Sequence, residues 1–162
     1  MSQQTQAKMD MPGLINGMLV EGRTLREIKS ITDDEINTIY AVAHQLYEHG
    51  KYEKAHDIFS YLCLLDHKEP RYFLGMGACR QLCNQHEQAL AAYGHAAILH
   101  PYDPRPSYHA GECLIALNRP TEALEALKAT MILCKDSDKV PIGRVRSLIQ
   151  GCSKKQTEQE HG

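Results

Sequence analysis

Four sets of residues recur every 34 positions along this chain, and that period constrains the fold more than any other feature. Ala43, Gly77 and Gly111 form one set, and Ala55, Ala89 and Ala123 a second. Gly50, Asn84 and Asn118 form a third, and the bulky Phe59, Tyr93 and Leu127 a fourth. A helix-turn-helix unit of this length puts small residues where paired helices approach closely and large ones in the gap between them. Each unit buries its apolar face only against its neighbours, so the array stands or falls as a stack.

Read in phase, the repeats cover residues 36–69, 70–103 and 104–137. The first predicts helices over about 36–49 and 52–65, with Gly50 at the turn. Pro70, Pro104 and Pro120 suit first helical positions, where a missing amide hydrogen costs little, and Asp103 suits the cap before Pro104. Thr24 with Glu27 and Thr32 with Glu35 have the capping-box spacing, a hydroxyl and a carboxylate that satisfy orphan amides at a helix start. Upstream, Leu14, Ile15, Met18 and Leu19 fall on one helical face, which Gly22 ends. Downstream, Val140, Ile142, Val145, Leu148 and Ile149 predict a capping helix. Residues 1–11 and 153–162 read as disordered, solvated tails around a single domain of residues 12–152. The expectation is an all-α chain of three tetratricopeptide repeats in a right-handed superhelix, with helices before them and a cap after.

Composition narrows function. A net charge of -2 carries no basic patch for phosphate, so nucleic acid is not an expected partner. The first residues lack a charged start followed by an apolar core, and no run is long enough to span a bilayer, so the cytoplasm is the expected location and a membrane is not. The six cysteines then read as reduced, buried thiols. Cys79, Cys83 and His86 supply only three ligands around one helix end, and no zinc, phosphate-loop or nucleophile signature is present. No enzyme activity, metal or cofactor is expected.

In repeats of this type the first helix of each unit lines a concave surface. That geometry selects Asn37, Tyr40, His44, Tyr47 and Glu48 in the first unit. It selects Arg71, Leu74, Ala78, Gln81 and Leu82 in the second, and Arg105, Tyr108, Glu112, Ile115 and Ala116 in the third. Tyrosine offers apolar area with a polar handle, and arginine donors grip carbonyls or carboxylates, so an extended peptide with apolar side chains is the expected ligand, seated near Tyr40, Tyr47 and Tyr52. Phe59, Phe73 and Tyr93 read as core.

The run Gly50-Lys-Tyr-Glu-Lys-Ala-His56, then Phe59 and Leu62 to His67, then Arg71-Tyr-Phe-Leu-Gly-Met-Gly-Ala-Cys-Arg-Gln81, resembles the class II chaperones of type III secretion systems. The likeness continues through Ala89, Tyr93, Pro104-Arg105 and His109-Ala-Gly-Glu-Cys113, and covers roughly residues 12–135. It implies a bacterial cytosolic chaperone that binds two hydrophobic translocator proteins before export, holding an extended N-terminal client segment with spaced prolines and a leucine. It places Tyr40, His44, Tyr47 and Tyr52 at the aromatic end of the groove, with His44 where relatives carry an aromatic hydrocarbon. It also implies a homodimer, with Leu14, Met18, Tyr61 and Leu65 as interface candidates, and in some relatives partnership with a transcriptional activator. A generic scaffold that grips chain-terminal carboxylates is the competing reading.

Overall fold

The computed structural model describes residues 11–134 and 139–160. Helix α1 (Met11–Ile15) runs into a π-helical turn (Asn16–Val20), and α2 (Leu25–Lys29) follows Gly22, whose φ is 65°. Three hairpins follow: α3 (Asp33–Glu48) with α4 (Tyr52–Leu65), α5 (Pro70–Leu82) with α6 (His86–Leu99), and α7 (Pro104–Ala116) with α8 (Pro120–Leu133). Helix α9 (Ile142–Glu160) packs on α8. All the regular structure among the described residues is helical.

The starts are written in side chains. Thr24 and Thr32 both complete their capping boxes, and Glu69 and Asp103 cap α5 and α7 ahead of a proline at the first helical position. The turns explain the third repeating set: Gly50, Asn84 and Asn118 have φ of 72°, 58° and 56°. Glycine enters this left-handed region without penalty and asparagine at low cost.

The close approaches explain the first and fourth sets together. A Cβ on Gly77 would lie 2.6 Å from the Tyr93 ring, and one on Gly111 would lie 2.8 Å from the Leu127 side chain. Tyr93 and Leu127 are at most 1% exposed, so neither has room to yield. The fourth member in this register is Val145, on α9, which is fully buried against the third hairpin.

One feature departs from the sequence reading, and a second bears on assembly. Helix α9 continues past Cys152 to Glu160, through residues assigned to a tail, because Lys154, Lys155 and Gln156 are strong helix formers and no glycine or proline interrupts them. The first helix leaves its apolar side chains uncovered: Met11, Ile15, Leu19 and Val20 are between 50% and 80% exposed. The tail of residues 1–11 lies outside the described residues except for Met11, as does the end of the third repeat beyond Cys134.

Candidate functional site: an aromatic groove across three repeats

The first helices of the three hairpins frame a cavity of about 210 Å³. Helix α3 contributes Tyr40, His44 and Tyr47; α5 contributes Arg71, Leu74, Gly75 and Ala78; α7 contributes Arg105 and His109. Phe59 reaches the same cavity from α4, although it is only 2% exposed, because Gly75 stands in front of it with no side chain. A Cβ at Gly75 would sit 2.5 Å from the Phe59 ring.

Aromatic contacts hold the floor. Tyr40 meets Phe59 edge-on at 5.8 Å between centroids and lies 6.0 Å from the buried Tyr72. Tyr47 packs edge-on against Tyr52 at 5.6 Å, and His44 lies between Tyr40 and Tyr47 at 6.3 and 6.4 Å. Edge-to-face pairs of this kind favour one ring arrangement over others by about 1 kcal/mol each. At the far wall His109 stacks on Tyr93 at 5.4 Å, and the Tyr93 hydroxyl donates to Gln81 Oε1 at 2.7 Å.

The charged residues are pre-positioned. Arg71 pairs with Glu69 at 3.0 Å and lies over the Tyr40 ring at 5.3 Å. Arg105 pairs with Asp103 at 2.6 Å. Burial alone would raise the Asp103 carboxyl, but the Arg105 guanidinium and backbone amide outweigh it and hold Asp103 below its ordinary value. Glu112 is a hub: Gln81 Nε2 donates at 3.2 Å, the Tyr108 hydroxyl at 2.9 Å and Arg144 at 2.8 Å, with His109 Nδ1 3.1 Å away. Burial opposes ionisation here too, yet the hydrogen bonds from His109, Tyr108 and Gln81 win and lower the carboxyl to about 2.

The structure brings seven of the predicted groove residues to one cavity: Tyr40, His44, Tyr47, Arg71, Leu74, Ala78 and Arg105. Tyr52 and Gln81 support it from behind through Tyr47 and Tyr93. Tyr108 is a correction. It is 5% exposed and packed in the core with Val145, because α9 closes over this end of the array and Arg144 shares its Glu112 partner. Glu112 is likewise engaged by the chain's own groups rather than presented to a ligand, and Ile115 faces α9. The residue that takes the groove position on α7 is His109, one place beyond Tyr108. Gly75 and Phe59 were also missed as groove residues; the signal for both was the glycine in a run of large side chains.

Leu65 is a second correction. It is 1% exposed, on the helix face it shares with Phe59 and Leu62, so it is core rather than a dimer contact. Tyr61 is 49% exposed, and Leu14 and Met18 are half-buried. Phe73, read as core, is half-buried and lies 5.4 Å from His95. All six cysteines are free thiols. Among the described residues, no group of three or more His, Cys, Asp or Glu is placed to hold a metal, and no helix is long and apolar enough to cross a membrane.

Three stacked helical hairpins around an aromatic trough define a helical-repeat protein of the tetratricopeptide type. Residues 36–69 and 84–132 each match the tetratricopeptide repeat family. The chain is 35% identical to the low calcium response locus protein H of Yersinia pestis, over 99% of this chain and 96% of that protein. The crystal structure of a T3SS complex from Aeromonas hydrophila aligns with a TM-score of 0.84 at 31% identity, covering 89% of this chain and 97% of that one. The Yersinia enterocolitica type III secretion chaperone SycD, solved in complex with a peptide of the translocator YopD, aligns at 0.74 with 35% identity, covering 78% of this chain and 98% of that one. The chain belongs to the class II, tetratricopeptide-repeat chaperones of type III secretion translocators.

Proposed function

We propose that this protein is a bacterial cytoplasmic chaperone that binds hydrophobic type III secretion translocators before export, holding an extended N-terminal client segment in its concave groove. The observation that carries the reading is the cavity shared by the first helices of all three repeats, floored by Phe59 and walled by Tyr40 and Tyr47. The structure of SycD with a YopD peptide supports it, since that relative accepts a translocator segment.

The physics fits the role. Exposed apolar surface on the scale of a membrane-inserting protein drives aggregation in water. A groove that binds a segment rather than a fold keeps the client unfolded and available, and ordering that segment limits the affinity. Such binding needs no bond making or breaking, so the protein acts without enzymatic chemistry. The uncovered apolar side chains of residues 11–20 support a homodimer contact, with Leu14, Met18 and, on α4, the exposed Tyr61 as candidates.

Co-expression with the cognate translocators followed by limited proteolysis tests the reading. A protected client fragment from the N-terminal region is the expected result; a protected folded domain, or no protection, contradicts it.

A further inference from the structure

Arg71 and Arg105 hold the same place in successive repeats, two residues after the acid that caps their own helix. Each acid grips its arginine from behind. Arg71 Nη2 donates to Glu69 Oε2 at 3.1 Å, while Arg105 Nε and Nη2 donate to Asp103 at 3.0 and 2.6 Å. The Asp103 side chain is only 5% exposed against 40% for Arg105, so a ligand in the groove meets the guanidinium and not the carboxylate behind it. Both arginines line the same cavity, and none of its lining residues is Asp or Glu.

We propose that this arginine pair selects client segments that carry an Asp or Glu side chain beside the apolar residue seated over Phe59. The inference rests on the groove reading above. The capping acids hold the Nε–Nη2 edge of both guanidiniums, which leaves the Nη1–Nη2 edge to meet a carboxylate through two parallel hydrogen bonds, whereas a backbone carbonyl accepts at one atom. The capping acids have already ordered both long side chains, so a ligand does not have to. The cavity continues past the arginines along α3 from Tyr40 through His44 to Tyr47, which fits a side chain within a running segment rather than a chain end.

The test is fluorescence anisotropy with the full-length protein and a labelled, C-terminally amidated dodecapeptide. The probe contains two spaced prolines and a leucine in a glutamine background, with glutamate moved through each remaining position. Glutamate at one or two positions near the leucine is expected to tighten binding about tenfold, equivalent to about 1.4 kcal/mol. That gain is expected to vanish in Arg71→Gln and Arg105→Gln and to fade as salt rises. Equal affinity for glutamate and glutamine at every position, with binding still lost in a folded Tyr40→Ala variant, overturns the proposal and leaves the groove reading standing. A gain seen only with a free peptide C-terminus overturns it in favour of terminal-carboxylate recognition. No binding of any peptide to the wild-type protein removes both readings.

Discussion

Gly75 stands 2.5 Å, at the place its Cβ would occupy, from the ring of Phe59, and that contact opens the floor of the groove. Phe59 is 2% exposed and wedged under Tyr40, so it has nowhere to retreat. Gly75→Ala is expected to cost about 1–3 kcal/mol through overpacking, more than the roughly 1 kcal/mol that alanine gains in a helix. It also shallows the groove, so client affinity falls with stability. Gly94, in α6, has nothing within 4 Å of its Cβ position, and Gly94→Ala is expected to stabilise by up to about 1 kcal/mol with binding unchanged. Urea denaturation of the two variants beside client titrations checks the pair.

The Glu112 hub predicts an acid-sensitive fold. Its carboxyl ionises at about 2 in the folded chain against an ordinary 4.5, so between those values the folded state holds fewer protons than the unfolded one. The contribution is complete above the higher value and is lost as pH falls toward the lower. Glu112→Gln is expected to destabilise by about 1.5–3 kcal/mol near neutrality, the usual range for hydrogen bonds to a charged group. The gap to wild type is expected to close as denaturation is repeated from pH 6 down to pH 2.

The cysteines should behave as core atoms. Burial raises Cys63, Cys79 and Cys113 to about 12, leaving almost no thiolate at neutral pH. Cys79 and Cys113 are at most 1% exposed. Iodoacetamide at pH 8 followed by mass spectrometry is expected to leave both unmodified in the folded protein, and to label all six cysteines in urea.

The α1 face predicts self-association. Leu19 and Val20 are 80% and 77% exposed, beside the half-buried Leu14 and Met18. A Leu14→Glu, Met18→Glu double variant is expected to shift the protein toward monomer in sedimentation equilibrium while its far-ultraviolet circular dichroism stays helical. Tyr61→Glu tests the exposed α4 candidate separately.

The hairpins were legible because their boundaries are chemical. Pro70, Pro104 and Pro120 start helices, Thr32 caps one, and Gly50, Asn84 and Asn118 mark the left-handed turns. The lining of the cavity was legible at Tyr40, His44, Tyr47, Arg71, Leu74, Ala78 and Arg105, where the first helices keep one register. It failed at Tyr108 because the third unit faces α9 instead, and the reach of Arg144 back to Glu112 is a long-range contact that no local pattern announces. Leu65 failed for a simpler reason. One residue turns a helix by about 100°, and it is the neighbouring Leu64, 60% exposed, that points outward.

The central claim is that the trough itself holds the client. The direct measurement is a calorimetric titration of the proteolytically protected client segment into wild type, Tyr40→Ala with Tyr47→Ala, and the groove-filling Ala78→Trp, each first shown to be folded by circular dichroism. The account predicts nearly complete loss of binding in both variants, from opposite causes: one removes the walls and the other occupies the space. Unchanged affinity in both would place the client elsewhere on the molecule and contradict the account.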